Sequence, residues 1–331
     1  MNKVTMRAAV MHRLGGSEVL ELTRVERPDP GPDDVLVRVH HAGINPADWK
    51  CREGALAAFF DYRFPFVPGF DLSGTVAAVG SQVGDLQPGD RVFAQSDVGT
   101  GRWGSFADYA VVSRSAVVKM PENLDFAAAA AVPTPALAAW AGLFDDGGLQ
   151  AGQRLLVHGG AGAVGVFAIQ FARAAGARVA ATCSAPNSDY LHSLGCEFSI
   201  DYQQQDITES LRDWAPEGVD MVLDCVGCGS LPAALDLLSP GGVLVAILTL
   251  AAGDPGPDVA AAQRRGLRTA LTFSKLPSGP TLSRVAQQLA TGQIRTPRIE
   301  VLPLEQVGRA LDLVKHGQAR RKLVIRVRDD D

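Results

Sequence analysis

Hydrophobic residues in the first third of the chain fall in short runs with β character. Clusters of proline, glycine and aspartate separate these runs, as at 28–32 and 87–90. The predicted strands are 6–11, 20–25, 35–42, 72–79, 91–93 and 109–112. Residues 1–125 therefore predict a mostly β domain.

The pattern changes after a helical bridge over 124–143, in which Pro133 and Pro135 predict a break or a restart. Between residues 150 and 247, buried strands alternate with amphipathic helices. The predicted strands are 154–158, 177–182, 196–200, 220–224 and 243–247, and the predicted helices are 164–175, 187–194 and 231–238. This alternation favours an α/β fold with a doubly wound parallel sheet.

The remainder of the chain returns to a mixed pattern. Helices are predicted over 281–291 and 304–315, and β-like stretches over 271–274, 299–302 and 322–327. We place the final strand back in the first domain.

A glycine-rich turn lies between the first strand and the first helix of the alternating region. Gly160, Gly162 and Gly165 follow the G-x-G-x-x-G spacing of dinucleotide-binding turns. One such glycine permits the tight turn, one lets backbone amides approach a diphosphate, and one lets the helix pack closely on the strand. Ala163 and Val164 open the helix, so we expect them beside the diphosphate. A flexible loop is the alternative, but the strand before and the helix after favour a dinucleotide site.

Length and charge narrow the class of protein. A chain of 331 residues exceeds the ~250–300 residues at which single cores stop growing, so two domains are expected. A net charge of −5 argues against nucleic acid or an anionic membrane as the main partner. No stretch approaches the ~18 apolar residues that span a bilayer, and no signal-peptide pattern opens the sequence. We therefore predict a cytoplasmic location.

The five cysteines are scattered, which favours buried thiols in a reducing compartment over disulfides. Cys225 and Cys228 form a C-x-x-C pair, but a zinc site would need a second pair of ligands at suitable spacing. A redox pair and two small residues after a core strand are both open, and we favour the second.

Several motifs together resemble the medium-chain dehydrogenase/reductase superfamily, specifically its zinc-free quinone oxidoreductase and enoyl reductase branch. The resemblance spans almost the full chain and is carried by 42–48, 68–74, 79–80, 89–92, 159–165, 223–227 and 241–242. It implies a GroES-like β domain that is interrupted by a Rossmann domain with a doubly wound parallel sheet. We therefore expect a substrate domain over 1–125 and 271–331 and a dinucleotide-binding domain over 126–270.

The resemblance also bears on metal use. Zinc members of the superfamily carry a cysteine and a histidine where this chain has Asn45-Pro46 and Phe70-Asp71. The stretch 95–104, which holds four close cysteines in zinc alcohol dehydrogenases, has none here. Without a Lewis acid, an alcohol does not readily form an alkoxide at neutral pH. We therefore expect no metal, and hydride transfer to a quinone or an α,β-unsaturated carbonyl rather than alcohol oxidation.

NADPH is the cofactor that the residues after the second Rossmann strand favour. NAD-specific sites place a carboxylate about 20 residues beyond the turn, and Ser184 stands there instead. Ser184, Asn187 and Tyr202 resemble residues that hold NADPH, although Pro186 replaces a basic residue found in many relatives. Ser184 could also cap a helix, and Tyr202 could pack on the surface.

Four further residues are implied in cofactor binding by the resemblance. Cys225 and Val226 follow a core strand. Phe273 begins a loop that resembles the one completing the nicotinamide pocket, and Lys322 matches a position that approaches the cofactor phosphates.

The candidate catalytic residues are Asn45, Lys50 and Tyr62. Asn45 resembles the family residue that lines the nicotinamide pocket, and the alternative is that it caps the turn before Pro46. Lys50 could polarise a carbonyl or protonate an enolate, and the alternative is an exposed surface lysine. Tyr62 is another candidate acid, within an aromatic run that would roof the substrate.

These features predict an NADPH-dependent, zinc-independent reductase of a small hydrophobic or aromatic acceptor. The apolar rim expected around the acceptor consists of Trp49, Phe59, Phe60, Phe64 and Phe66. A homodimer is implied by the resemblance only. An NADPH-binding structural or sensor protein without turnover is the alternative, since no clear catalytic acid is present and Ala138 replaces a threonine of relatives. A zinc alcohol dehydrogenase is a third alternative, and it would contain stoichiometric metal.

Overall fold

The structure, a computed structural model, describes residues 4–231, 233–247 and 254–328. Its strands are β1 Thr5–Met11, β2 Leu20–Glu26, β3 Asp34–Gly43, β4 Asp71–Val79, β5 Arg91–Gln95, β6 Tyr109–Ser113, β7 Val117–Lys119, β8 Arg154–His158, β9 Arg178–Cys183, β10 Phe198–Asp201, β11 Val219–Asp224, β12 Leu238–Ile247, β13 Arg268–Thr272, β14 Ile299–Pro303 and β15 Lys322–Arg326. Its α-helices are α1 Pro46–Glu53, α2 Phe126–Ala130, α3 Pro133–Trp140, α4 Ala163–Ala174, α5 Ser188–Leu194, α6 Ile207–Trp214, α7 Val259–Arg264, α8 Gly279–Ala290 and α9 Val307–Lys315.

The chain divides into two compact units. The first comprises Met1–Thr134, Leu276–Gly292 and Thr296–Asp331, and the second comprises Pro135–Lys275 and Gln293–Arg295. None of the described helices is both long and apolar enough to cross a bilayer.

The first unit is built on a seven-stranded sheet. The strands run in the order β14-β15-β3-β4-β5-β7, and β6 pairs with β3 outside this path. β1 and β2 form a separate antiparallel hairpin. Because β15 pairs antiparallel with β3, the end of the described chain returns to this sheet, and Ile44 N–H donates to Leu323 O at 3.0 Å.

Helix α1 is anchored on α9 by a buried arginine. The Arg52 side chain is only 1% exposed, and its guanidinium pairs with Asp312 at 3.0 Å and with Glu53 at 2.7 Å. Lys315 of α9 holds the same Glu53 carboxylate at 2.9 Å. These ion pairs fix the position of a helix whose first turn carries several of the site residues described below.

The second unit contains a six-stranded parallel sheet. The order is β10-β9-β8-β11-β12-β13, which is the 3-2-1-4-5-6 order of Rossmann folds. Strand order reverses between β8 and β11, and ligands of such sheets bind beyond the carboxyl ends of the strands at this reversal. The predicted doubly wound sheet is confirmed.

The predicted helix over 231–238 is wrong. The structure has a short 3₁₀ turn at Ala234–Leu237, and β12 begins at Leu238 and runs through Pro240. Leu231, Leu237 and Leu238 are buried in the core of the second unit, so burial explains the apolar pattern that suggested a helix.

Candidate functional site

The predicted dinucleotide turn joins β8 to α4. Gly159 turns the chain with a φ of +83°, a conformation that glycine adopts without strain. The Gly159 and Gly160 N–H groups donate to Oγ1 and O of Thr182 on β9, both at 2.9 Å. Gly162 then caps α4 with an extended backbone, and Val166 N–H makes an early helical bond to Gly162 O at 2.9 Å.

The three motif glycines differ in how much space surrounds the position of an added Cβ atom. A Cβ on Gly160 would lie 2.8 Å from Ala181 Cβ, and one on Gly165 would lie 2.5 Å from Gly159 O. The fold therefore requires glycine at both positions. A Cβ on Gly162 would meet only Gly159 O at 3.3 Å, and this residue is exposed. Packing therefore constrains position 162 much less than positions 160 and 165, whereas the close approach of a diphosphate would require glycine there.

The first turn of α4 is suited to an anion. The first N–H groups of a helix have no partner within the helix, and here they include those of Ala163, Val164 and Gly165. No acidic residue lies in this turn, so nothing opposes the positive end of the helix dipole. The residues present fit the diphosphate of a dinucleotide.

Ser184, Asn187 and Tyr202 come together at the carboxyl end of β9. Asn187 Nδ2 donates to Ser184 Oγ at 3.1 Å, and Tyr202 N–H donates to Cys183 O at 3.2 Å. The Ser184 side chain makes no capping hydrogen bond, and Tyr202 is 52% exposed. The three predicted cofactor residues therefore share one partly exposed corner of the sheet.

The loop after β11 is shaped by Asp224. Its Oδ1 accepts the N–H groups of Val226 at 2.9 Å and Gly227 at 3.0 Å. Val226 is half exposed and would contact a side chain at Gly159, so this loop lies against the glycine turn. Burial raises the pKa of the Cys225 thiol, which keeps it protonated and weakens a redox role. The Cys228 side chain lies outside the described residues.

Phe273 follows the end of β13 and is 54% exposed. The ammonium of Lys275 lies over its ring, 4.9 Å from the centroid, and pairs with Asp146 at 2.9 Å. An exposed ring beyond a carboxyl end of the sheet is available to a ligand of this unit.

Lys322 has partners in the structure other than the cofactor phosphates that the family resemblance implies. In the first unit its Nζ donates to Ile44 O at 2.8 Å and to Asn45 Oδ1, and it lies 3.9 Å from Asp71 Oδ2. The residue is only 8% exposed. Its ammonium is therefore held by oxygen atoms of its own unit.

These contacts form a buried charge cluster of Asn45, Asp48, Asp71 and Lys322. Asn45 Nδ2 donates to Asp71 Oδ2 at 2.8 Å, while Asp48 Oδ2 accepts Asn45 N–H at 2.6 Å. Asp71 Oδ1 also accepts the N–H and hydroxyl of Thr134, at 3.0 and 2.6 Å. Both carboxyl groups have no exposed surface. The Asn45 carboxamide is thus oriented from both ends, in addition to its capping position before α1.

The charge cluster holds two carboxyl groups against one ammonium. Burial raises the pKa of Asp48 to about 8, and it also raises the pKa of Asp71. Burial lowers the pKa of Lys322, and the two carboxylates oppose that shift. Asp71 accepts three hydrogen bonds beside the ammonium, whereas Asp48 accepts two, from the N–H groups of Asn45 and Phe70, so we expect Asp71 to be the anion and Asp48 to hold the proton near neutral pH. The charge cluster is then neutral overall.

We expect the stability of the protein to fall as pH rises from about 5 to 8, through the Asp48 carboxyl. Its pKa in the folded protein is about 8 against an ordinary value of 3.8, so the folded state holds a proton that the unfolded chain releases. Urea unfolding at pH 5 and pH 8 measures this loss. Asp48→Asn removes the titrating group, so its stability should fall less over the same interval. An equal fall in both proteins would contradict the assignment.

Lys50 and Tyr62 differ from their predicted surroundings. Lys50 is buried rather than an exposed surface lysine, and its ammonium lies 5.4 Å from the Trp49 ring centroid. Tyr62 donates its hydroxyl hydrogen to Cys51 O at 2.7 Å, and burial raises the pKa of this phenol. It must break this bond before it can protonate a substrate.

The predicted apolar rim is only partly exposed. Phe59 and Phe64 are 67% and 43% exposed, whereas Phe66 is 1% exposed and belongs to the core. Phe66 was therefore wrongly assigned to the rim, because its backbone pairs with Met11 of β1 at 2.8 and 2.9 Å and its side chain is buried there.

Sequence reasoning missed Asp48, Asp71 and Thr134, and on the other unit His158 and Thr182. Asp48 had a local signal, since it stands three residues after Asn45 in the spacing of a capping box. Among the described residues, no group of three or more His, Cys, Asp or Glu side chains is placed to hold a metal ion.

Comparison with known proteins matches two family models to the chain. Residues 31–122 match the alcohol dehydrogenase GroES-like domain, and residues 194–325 match the zinc-binding dehydrogenase domain. These matches confirm the predicted combination of a GroES-like domain with a Rossmann-type domain.

Individual proteins match almost the whole chain. The mitochondrial NAD(P)H oxidoreductase RTN4IP1 of Danio rerio is 32% identical over 99% of this chain and 93% of its own length. The chloroplastic NADPH-dependent alkenal/one oxidoreductase of Arabidopsis thaliana is 32% identical over 97% of this chain and 79% of its own length. The structure of the quinone oxidoreductase from Coxiella burnetii has a TM-score of 0.84 at 28% identity, over 98% of this chain and 100% of its own.

Proposed function

This chain belongs to the medium-chain dehydrogenase/reductase superfamily, and we propose that it is an NADPH-dependent, zinc-independent reductase of quinones or α,β-unsaturated carbonyls. The predicted family is confirmed, and so is an oxidoreductase that uses a nicotinamide cofactor. The choice of NADPH, the class of acceptor and the independence from zinc form the proposal.

One observation carries the proposal: of the three motif glycines, Gly162 is the one that packing explains least. The other motif glycines meet close neighbours, whereas Gly162 opens to solvent at the N-terminus of α4. The amides beside it would bind the diphosphate of the cofactor. When bound, the reduced nicotinamide supplies a hydride.

The preference for NADPH is supported by the corner formed by Ser184, Asn187 and Tyr202. Ser184 and Asn187 offer uncharged hydrogen-bonding groups, and position 184 has no carboxylate to repel a 2′-phosphate. The Arabidopsis relative is named for NADPH, and the Danio relative for NAD(P)H.

Ser184→Asp should weaken NADPH far more than NADH, by about tenfold or more in the ratio of dissociation constants, because a carboxylate repels the extra phosphate. Fluorescence titration with both cofactors measures the ratio. Ser184→Ala is the matched control, since it removes the hydroxyl without adding charge. An unchanged ratio in the aspartate variant would place the 2′-phosphate elsewhere.

The acceptor class rests on the relatives, which are named for quinone and alkenal/one substrates. Asn45 and Lys50 keep their proposed catalytic roles, and the structure supports a rigidly oriented carboxamide for Asn45. Tyr62 is the weaker candidate for proton donor, because its hydroxyl is already engaged by Cys51 O.

Zinc independence is supported by the residues that stand where zinc relatives carry ligands. Asn45 is bound to Asp71 and Lys322, and an ammonium beside these groups disfavours a second cation. Elemental analysis of the purified protein should find no stoichiometric zinc, and a bound metal would overturn this part of the proposal.

Loss of nicotinamide absorbance on mixing the protein with NADPH and either 1,4-benzoquinone or an enone tests the function. Consumption of NADPH with either acceptor supports a reductase. Binding without consumption across both acceptor classes would favour the sensor alternative instead. The homodimer and the cytoplasmic location stay predictions, and two relatives have organellar names.

A further inference from the structure

The imidazole of His158 connects the two sides of the strand reversal in the second unit. His158 is the last residue of β8, and it is 5% exposed. Its Nδ1 lies 2.9 Å from Thr182 Oγ1 on β9, and its Nε2 lies 3.0 Å from Ser230 Oγ in the loop after β11. The side chain therefore bridges the glycine turn and that loop.

The surrounding hydrogen bonds determine which nitrogen carries the proton. Ser230 Oγ lies 2.7 Å from Gly227 O, to which it donates its hydroxyl hydrogen, and in this arrangement it accepts from His158 Nε2–H. His158 Nδ1 then accepts from the Thr182 hydroxyl, which itself accepts Gly159 N–H at 2.9 Å. Desolvation lowers the pKa of His158 against the opposing charge of Asp224, which agrees with a neutral ring.

The bridge joins the two halves of a dinucleotide-binding sheet. Rossmann folds consist of two mononucleotide-binding halves that meet at the reversal, here between β8 and β11. Thr182 and the glycine turn belong to the first half, and Ser230 and Gly227 follow a strand of the second. Asp224 at the end of β11 also holds this loop, because its Oδ1 accepts the N–H groups of Val226 and Gly227.

We infer that His158 is a positioning residue that couples the two halves of the cofactor site, holding the loop after β11 in register with the glycine turn. The inference rests on the proposed function. A ligand that spans both halves gains from a loop that is already ordered, whereas a ligand of the first half does not. His158 should therefore favour the whole dinucleotide over its adenosine portion.

Dissociation constants of NADPH and of adenosine 2′,5′-bisphosphate test the coupling. Ser230→Ala and His158→Asn both remove the bond to the loop, and the asparagine can still accept from Thr182. Each variant should weaken NADPH about three- to tenfold, the usual effect of one hydrogen bond, and leave the bisphosphate unchanged. Ser230→Thr keeps the hydroxyl and should bind NADPH like the wild type.

The outcomes separate this inference from the proposed function. Wild-type protein that binds neither ligand would overturn both. If the wild type binds NADPH and both variants bind it equally well, the coupling alone is overturned. Equal losses of affinity for NADPH and for the bisphosphate would also overturn the coupling alone. Imidazole ¹⁵N chemical shifts of the wild type give a check that needs no variant, because a proton on Nδ1 instead of Nε2 would also overturn it.

Discussion

Gly162→Asp is expected to fold normally and to lose NADPH binding by about 100-fold or more, since the new carboxylate would occupy the place of the diphosphate. The backbone at 162 has a φ of −71° and a ψ of 162°, which any residue adopts. Aspartate is also a favourable N-cap, better by about a few tenths of a kcal/mol than the glycine it replaces, which offsets the 3.3 Å approach of its Cβ to Gly159 O. Stability should therefore change little while affinity collapses.

Two further variants isolate the cause. Gly162→Asn adds similar bulk without charge, so it should bind NADPH more weakly than wild type but more tightly than the aspartate variant. Gly165→Ala places a Cβ 2.5 Å from Gly159 O and should instead lower the melting temperature. Fluorescence titration and thermal unfolding of the four proteins measure both quantities. Normal affinity in Gly162→Asp would remove the diphosphate from this turn.

The glycine turn could be predicted because its determinants lie close together in sequence. Gly165 is explained by Gly159 and Gly160 within the turn, whereas Gly160 is explained by Ala181 of β9 and Leu191 of α5, which the fold brings against it. The restart of the helical bridge is also confirmed, since α3 begins at Pro133, where a missing N–H costs nothing. Residues close together in sequence therefore predict the spacing of the glycine motif and the restart of the helix at Pro133.

Apolar patterns predict burial more reliably than the type of element. Leu231, Leu237 and Leu238 are buried, but Leu237 lies in a 3₁₀ turn and Leu238 begins a strand. Phe66 was assigned to the rim from an aromatic run, although only the tertiary fold decides which ring faces inward. An apolar pattern therefore predicts that a segment is buried, whereas its contacts with neighbouring strands decide whether it forms a helix or a strand.

Lys322 marks the limit of what the sequence could predict in the site. It is 277 residues from Asn45, and only the pairing of β15 with β3 brings the two side chains together. No local pattern encodes that contact. The same is true of Asp71, whose partners Asn45 and Thr134 are 26 and 63 residues away.

Lys322→Met is expected to cost about 3–5 kcal/mol of unfolding free energy at pH 7, because it leaves the Asp71 carboxylate buried without its cation. Asp71 has no exposed surface, so water cannot replace the stabilisation that the ammonium gave to its carboxylate. Lys275→Met is the matched control. Its side chain is 42% exposed and its ammonium pairs with Asp146 at 2.9 Å, so its loss should change stability by no more than ~1 kcal/mol.

The double variant Lys322→Met, Asp71→Asn should recover much of the loss, since neither partner then carries a buried charge. The deficit of the single variant should also shrink as pH falls from 8 to 5. Without the ammonium, the already raised pKa of Asp71 rises further, so the folded state takes up a proton that the unfolded chain binds only at lower pH. Urea unfolding at pH 5, 7 and 8 measures the free energy of unfolding of the wild type, Lys322→Met, Lys275→Met and the double variant. Equal losses for Lys322→Met and Lys275→Met would show that the buried ammonium does not neutralise Asp71.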